Sequence, residues 1–77
     1  MRVLLFAALR EAAGSSRVDA DAETVGELLD ELSARFGSAF ERVAGIGTVV
    51  VNGQTAGRDH ALQPNDEVAI LPPVSGG

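Results

Sequence analysis

The sequence predicts an α+β fold, a mixed sheet of four to five strands with one main helix on one face. Two observations carry this prediction. A single amphipathic helical pattern lies between two groups of strand patterns, which is an α+β order. The first and last strand patterns are apolar on both faces, as central strands are. The 77 residues suffice for one domain, 1–77, with one small core.

The N-terminal strand patterns predict a hairpin. Residues 3–9 form an apolar run that is too short for a typical helix and reads as a central strand. We expect residues 10–16, which include Gly14, to form a turn. Residues 17–20 are more polar and are typical of an antiparallel edge strand.

The helical pattern begins at a capping box, in which the Thr24 hydroxyl accepts from the amide of Glu27 and the Glu27 carboxylate reaches back to the Thr24 amide. The apolar residues then follow at helical spacing and form one stripe: Val25, Leu28, Leu29, Leu32 and Phe36. Gly37 is placed to end the helix with a left-handed backbone. We expect Phe40 and Val43 to close the core from a short turn.

The strand patterns after the helix are residues 47–51, 54–56 and 67–71. Asn52 and Gly53 predict a two-residue hairpin turn because both tolerate positive φ. Pro72 and Pro73 end the last strand, since proline has no amide hydrogen to donate. This order of elements is typical of the β-grasp, or ubiquitin-like, fold, in which the first and last strands lie parallel at the sheet centre.

Composition excludes several classes of function. Eleven acidic and six basic residues give a net charge of −5, so the chain lacks the basic footprint of a nucleic-acid or anionic-membrane binder. It has no cysteine and one histidine, which excludes thiolate zinc sites, cysteine nucleophiles and multi-histidine metal sites. No apolar run is long enough for a membrane span or signal peptide, so we expect no metal, no membrane and a cytoplasmic location.

One helix covers only one face of a sheet, which leaves an apolar surface on the other. Strand alternation places one set of side chains towards the helix, namely Val3, Leu5, Val68 and Ile70. The alternate set, Leu4, Phe6, Ala69 and Leu71, is then expected on the open face. Such a patch is typical of a protein-docking surface. The alternative is that a loop, residues 10–16 or 56–62, folds over it.

Residues 72–77 predict a flexible, extended tail. The two prolines favour an extended backbone, and six residues at about 3.3 Å each reach roughly 20 Å. Gly76 and Gly77 carry no side chain, so they can enter a channel too narrow for other residues. The Gly77 carboxylate is a poor electrophile and needs activation, most simply by ATP. The chain has no phosphate-binding glycine loop, so it would be a substrate and carrier rather than the catalyst.

Two segments carry a family resemblance. They are the opening Phe6-Ala7 with Leu9-Arg10-Glu11 and the closing Pro72-Pro73-Val74-Ser75-Gly76-Gly77. With Val51-Asn52-Gly53 and Asp66-Glu67-Val68-Ala69 between them, the chain resembles the small, sulfur-carrying subunit of molybdopterin synthase. Asn65 stands where such sequences often have glycine, and Leu71 where an aromatic residue is common.

The resemblance implies a mechanism and two partners. A ubiquitin-activating-type adenylyltransferase uses ATP to adenylate the Gly77 carboxylate, and a sulfur donor converts it to a thiocarboxylate. The large synthase subunit, in a heterotetramer, then transfers the sulfur to cyclic pyranopterin monophosphate. The carrier itself binds no cofactor and is not catalytic on its own.

The same resemblance assigns roles to individual residues. Gly77 carries the reaction, and Gly76 and Ser75 give the tail its access. The remaining positions bind partners: Phe6, Leu71, Leu4, Arg10, Pro73 and Val74. Arg10 is expected to form an ion pair with the adenylating partner.

Three alternatives stay open. The chain is a sulfur carrier for thiamine or cysteine biosynthesis, a ubiquitin-like modifier whose glycine is joined to a lysine of another protein, or an interaction module with an inert tail. Thiamine carriers usually lack both the Pro-Pro-Val-Ser segment and the Phe-Ala-x-Leu-Arg-Glu opening.

Overall fold

A computed structural model describes residues 1–73 of the chain. Predicted positions Val74, Ser75, Gly76 and Gly77 lie outside the described residues. In chain order the elements are β1 (Arg2–Leu5), α1 (Ala8–Ala13), β2 (Arg17–Asp19), α2 (Val25–Phe36), α3 (Ser38–Ile46), β3 (Thr48–Val51), β4 (Gln54–Ala56) and β5 (Glu67–Leu71).

The five strands form one mixed sheet in the order β2-β1-β5-β3-β4. β1 and β5 are parallel, with Val3 opposite Val68 and Leu5 opposite Ile70. The other three pairings are antiparallel. The predicted parallel contact between the first and last strands is therefore confirmed. Both edge strands are three residues long, which limits unwanted pairing with other chains.

The core lies between the sheet and the helices. The α2 stripe is buried at Val25, Leu28, Leu29 and Leu32, and Phe36 packs against it half-buried. The α2 stripe packs against four side chains of the sheet that were predicted to face the helix. All four are buried: Val3, Leu5, Val68 and Ile70. Full burial of each such aliphatic side chain stabilises the fold by about 1.5–3 kcal/mol before entropy costs.

The start of α2 differs in one hydrogen bond from the predicted capping box. Thr24 Oγ1 accepts from the Glu27 amide at 3.2 Å, as expected. The Glu27 carboxylate, however, accepts from the amide of Glu23 at 2.9 Å rather than from that of Thr24. The second hydrogen bond of the capping box is therefore donated by the amide one residue before the predicted one. At the other end Gly37 has φ 96° and ψ −176°, so its backbone has positive φ but is not left-handed helical.

The predicted strand over residues 3–9 and turn over residues 10–16 are wrong in part. β1 ends at Leu5, and Ala7 takes a positive φ of 52°, which turns the chain out of the strand. The following residues are good helix formers and form α1, which ends at Gly14 in the left-handed conformation. The helix carries Leu9 into the core, where it is fully buried.

The predicted short turn around Phe40 is instead the nine-residue helix α3. Phe40 and Ala44, one helical turn apart, are its buried residues. The Phe40 ring lies 5.4 Å from that of Phe36, so the two helices share an aromatic contact across Gly37. The described chain thus has two shorter helices besides the main one.

The Asn52-Gly53 turn is confirmed. Both residues have positive φ, 50° and 84°, as a two-residue turn between twisted antiparallel strands requires. Within residues 1–73, none of the helices is long and apolar enough to cross a bilayer.

Candidate functional site

The candidate site is the end of the sheet at which β5 gives way to Pro72 and Pro73. β5 is hydrogen-bonded on both sides, to β1 and to β3. Its last residue, Leu71, lies opposite Thr48. Pro72 is half-buried and Pro73 is exposed. The segment that continues towards Gly77 therefore starts from the strand at the centre of the sheet.

A glycine that sequence reasoning missed lies against this point. A Cβ built on Gly47 would overlap the carbonyl oxygen of Leu71, and it would lie 3.2 Å from the carbonyl oxygen of Val43. Gly47 has φ −88°, so packing rather than backbone conformation requires the glycine. Sequence offers no local signal for this contact, because the two residues are far apart in the chain.

The open face of the sheet carries the predicted apolar residues. Leu4, Ala69 and Val50 lie side by side on β1, β5 and β3, and all three are half-buried. Leu71 is also half-buried. Val50 was not among the predicted residues, although the alternation of the Thr48–Val51 strand would have found it. The alternation predicted for Leu4, Ala69 and Leu71 is confirmed.

Phe6 lies beside this apolar region, but it is not part of the first strand as predicted. It lies one residue beyond β1, not within it. Because Leu5 pairs with Ile70, Phe6 and Leu71 are the next residues along two parallel neighbours. Phe6 is 41 % exposed, and it is one of two large hydrophobic residues exposed in residues 1–73.

Neither of the loops that could have covered the open face does so. Residues 8–13 form α1, whose Leu9 belongs to the core on the helix side. The segment after β4 is bonded to the start of α2, through Val25 and Gly26 amides that donate to the carbonyls of His60 and Arg58 at 3.0 and 2.9 Å. The Arg58 guanidinium also pairs with Asp30 at 3.0 Å.

Arg10 is exposed on α1, not in a turn. Its guanidinium forms no salt bridge with any residue in the described part of the chain. Arg10 is four residues after Phe6 in the sequence, and it lies on α1, the helix that follows the end of β1. The structure thus places Arg10 and Phe6 in neighbouring segments, and it leaves the predicted ion pair with a partner untested.

The far end of β5 is fastened by a small polar network. The Asp66 carboxylate accepts from the Gln63 amide and from the Asn52 side-chain amide, each at 2.8 Å. These two bonds, in that order, and the nearby His60 hold the pKa of Asp66 below its ordinary value against a smaller effect of desolvation. Asn52 in turn accepts from the Glu67 amide at 2.9 Å. The network ties the β3–β4 turn to the start of β5.

The chemistry of the described residues is otherwise sparse. A depression of about 280 Å³ lies between α2, α3 and the β3–β4 strands, and Arg58 is the single ionisable side chain in its wall. Among residues 1–73 no group of three or more His, Cys, Asp or Glu side chains is placed to hold a metal ion. The described part of the site therefore consists of the end of the central strand and the apolar open face beside it.

The chain is similar to two curated small proteins along nearly its whole length. It is 42 % identical over 83 residues to small archaeal modifier protein 1 of Haloferax volcanii, with 95 % of each chain covered. It is 39 % identical over 82 residues to the molybdopterin synthase sulfur carrier subunit of Escherichia coli, with 100 % of this chain and 99 % of the relative covered.

Among solved structures, the solution structure of small archaeal modifier protein 1 from Methanosarcina acetivorans superposes with a TM-score of 0.87. It is 33 % identical and covers 99 % of this chain and 94 % of its own. The strand order, the parallel β1–β5 contact and this likeness establish the ubiquitin-like β-grasp fold. The sequence profile of the ThiS family matches residues 3–77. The chain therefore belongs to the ThiS family and is a sulfur carrier of the ubiquitin-like type.

Proposed function

We propose that this protein carries sulfur for molybdopterin synthesis, as a thiocarboxylate on Gly77. The observation that supports this most directly is the position of β5. The central strand, held on both sides, leads through two prolines into the Val-Ser-Gly-Gly end, and the family match runs through residue 77.

The proposed chemistry occurs at the backbone carboxylate. The Gly77 carboxylate attacks the α-phosphorus of ATP, which releases pyrophosphate and forms an acyl-adenylate. A sulfide then attacks the acyl carbon and AMP leaves, so the product is a thiocarboxylate. If the sulfur comes from a persulfide, its terminal sulfur attacks and AMP leaves to give an acyl disulfide. A thiol of the sulfur donor then cleaves the S–S bond, which releases the thiocarboxylate and leaves a disulfide on the donor. The adenylating enzyme supplies the catalytic groups and the ATP site, and the carrier is its substrate. The proposal places these steps in the cytoplasm, where ATP is available.

The proposed sulfur acceptor is cyclic pyranopterin monophosphate, bound in the large subunit of molybdopterin synthase. The thiocarboxylate sulfur attacks an oxygen-bearing carbon of the pterin side chain, and the oxygen leaves that carbon as the carbon–sulfur bond forms. Water then cleaves the acyl–sulfur bond, which restores the carboxylate and leaves the sulfur on the pterin. A dithiolene needs two sulfur atoms and therefore two loaded carriers. The name of the Escherichia coli relative, a sulfur carrier subunit of molybdopterin synthase, supports a role in this synthase. The assembly that we propose is a heterotetramer of two small and two large subunits.

The docking surface we propose is the apolar patch formed by Leu4, Phe6 and Leu71. We propose that Pro73 and Val74, which follow in the sequence, also bind the partner. β1 and β5 are adjacent and parallel, and Leu5 pairs with Ile70. Phe6 and Leu71, the residues that follow this pair, therefore lie at the same level with no other strand between them. A partner that binds both side chains would therefore also lie next to the start of the segment that follows Leu71. Arg10 is proposed to pair with a carboxylate of the adenylating partner.

A second candidate is protein modification. The relative from Haloferax volcanii, 42 % identical, is named a modifier protein, and both uses begin with the same adenylated glycine. In this case the acyl-adenylate is attacked by an amine of another protein. An amide forms and AMP leaves.

Intact mass spectrometry separates the candidates. The full chain is incubated with an adenylating enzyme of the ubiquitin-activating type, ATP and a sulfur donor. A sulfur carrier gains the mass difference between sulfur and oxygen, and the loaded chain then converts cyclic pyranopterin monophosphate when the large subunit is added. Conjugates of higher mass in a cell extract, with no conversion of the pterin, would favour the modifier. No change of mass in either assay would refute both.

A further inference from the structure

We propose that this chain is built as an acyl donor that cannot act as an acyl acceptor, so its activated glycine is passed only to another molecule. The inference rests on the proposed function, because it concerns what an activated Gly77 carbonyl can meet. It follows from the nucleophiles that the sequence contains and from the place where the structure holds the amine of Met1.

The side chains offer no amine and no thiol. The sequence contains no lysine and no cysteine, and all six basic residues are arginine. A guanidinium stays protonated in proteins and is not a nucleophile at neutral pH. Serine and threonine hydroxyls become effective nucleophiles only beside a general base. In residues 1–73 no hydroxyl is hydrogen-bonded to His60.

The His60 imidazole can accept an acyl group only transiently, because water cleaves an acyl-imidazole. The Met1 amine is the remaining group that could form a stable amide, and it is held in the fold. It donates to the Ala20 carbonyl at 2.8 Å and lies 3.4 Å from Asp21 Oδ1. The Ala20 amide returns a hydrogen bond to the Met1 carbonyl at 3.2 Å, so residue 1 extends the β1–β2 ladder. The Met1 side chain is only 2 % exposed and anchors this end. To attack a carbonyl carbon, this amine would have to give up a proton and break its hydrogen bonds to both acceptors.

Geometry adds to this protection. β1 and β5 run parallel, with Arg2 opposite Glu67, so Met1 lies at the end of the sheet where β5 begins. Leu71, from which the tail continues, is at the other end. Four steps along β5 at about 3.3 Å each separate these two levels by roughly 13 Å. An acyl group that leaves the sheet beyond Leu71 therefore starts on the side away from the amine, and residues 72–77, with a reach of roughly 20 Å, could approach the amine only by folding back along the sheet.

This arrangement has a consequence for both candidate functions. An acyl-adenylate is then not consumed by an amine of the same chain or of another copy before it meets an external sulfur nucleophile. If the acceptor is instead a lysine of another protein, the product carries single units. A chain of units would require an accessible amine on the carrier, which this sequence and this fold do not provide.

The test installs the activated acyl group chemically. The full chain is released from an intein fusion by an alkanethiol as a C-terminal thioester, and it is kept at mildly alkaline pH. Three chains are compared, namely the wild type, Arg42→Lys on the exposed side of α3, and a chain extended before Met1 by Gly-Ser-Gly. The first variant adds an amine, and the second moves the existing amine away from Ala20 and Asp21. Products are followed by intact mass under reducing conditions.

We expect the wild type to hydrolyse without forming amide-linked dimers or cyclic products. Both variants should form such products at least about tenfold faster, as expected when an amine no longer has to break charge-assisted hydrogen bonds. A short lysine-containing peptide added to the wild type should be acylated once. Self-linked wild-type products that form as fast as those of the extended chain would overturn the proposal, and so would failure to acylate the peptide. Enzymatic activation plays no part, so failure of the proposed function would be seen separately, as absent sulfur loading.

Discussion

The carbonyl oxygen of Leu71 occupies the space that a side chain on Gly47 would need. This contact joins the end of α3 to the last residue of the central strand, directly before Pro72. The orientation in which the tail leaves the sheet therefore depends on the absence of one methyl group.

Gly47→Ala tests this relationship. We expect it to destabilise the protein by about 1–3 kcal/mol, because the added methyl group must displace a backbone carbonyl and not a flexible side chain. We also expect slower sulfur loading, since the end of β5 moves. Urea unfolding gives the free energy, and intact mass gives the loading rate.

Gly45→Ala is the matched control. It lies in α3 two residues away, and a Cβ there would meet nothing within 4 Å. Alanine should stabilise this helix by about 0.5–1 kcal/mol. Equal effects of the two substitutions would contradict the role assigned to Gly47.

Asp66 predicts a pH dependence of stability. Its pKa is lowered in the fold by the bonds from Gln63 and Asn52, so its contribution to stability is present above the ordinary value of 3.8. That contribution is lost as the pH falls through the lower, folded-state pKa. The difference in unfolding free energy between the wild type and Asp66→Asn should therefore shrink in acid.

Chemical denaturation at a series of pH values measures this difference. Asp59→Asn is the control, because the Asp59 side chain is exposed and has no hydrogen bond in residues 1–73. A wild-type advantage over Asp66→Asn that stays constant into strong acid would contradict the network described at the start of β5.

Phe6→Asp tests the docking surface. A charge at this position should weaken binding to the large synthase subunit by at least about tenfold, since aromatic residues at interface centres commonly contribute 2 kcal/mol or more. Stability should change little because the ring is 41 % exposed. Titration calorimetry or a pull-down of the loaded chain provides the affinity.

Ala34→Asp introduces the same charge on the exposed side of α2, across the core from the open face. It should leave the affinity unchanged. If Phe6→Asp binds as well as Ala34→Asp does, the apolar patch is not the interface.

Adding one alanine after Gly77 tests the proposed reactive group. The fold of residues 1–73 should not change, because the addition lies beyond the described contacts. Sulfur loading should be lost, since the carboxylate then belongs to a residue with a side chain that a channel shaped for glycine does not admit. The far-ultraviolet circular dichroism spectrum checks the fold, and the intact mass checks the loading. Normal loading of this variant would refute the assignment of Gly77.

Regular patterns in the sequence predicted the sheet well. Alternation in residues 67–71 placed Val68 and Ile70 in the core and Ala69 and Leu71 on the other face, and Asn52-Gly53 fixed the hairpin. The α2 stripe was equally clear because its apolar residues recur at helical spacing over three turns.

The predictions were wrong, or missed a contact, where the sequence gives no distinct local signal for the end of one element and the start of the next. The apolar run over residues 3–9 hides the end of β1 at Leu5, because alanine gives no sign of the positive φ at Ala7. Phe40 and Ala44 have helical spacing, but the segment after Gly37 is too short for that signal to be distinct. The contact between Gly47 and Leu71 depends on tertiary packing alone, and no local pattern encodes it.

The parallel arrangement of β1 and β5 also determines how the molecule responds to mechanical force. A partner that pulls on the C-terminal end loads the β1–β5 and β3–β5 ladders in shear, so their hydrogen bonds resist together rather than opening one after another. A partner that releases the carrier, or a degradation machine that engages the same end, would therefore pull against both ladders at once.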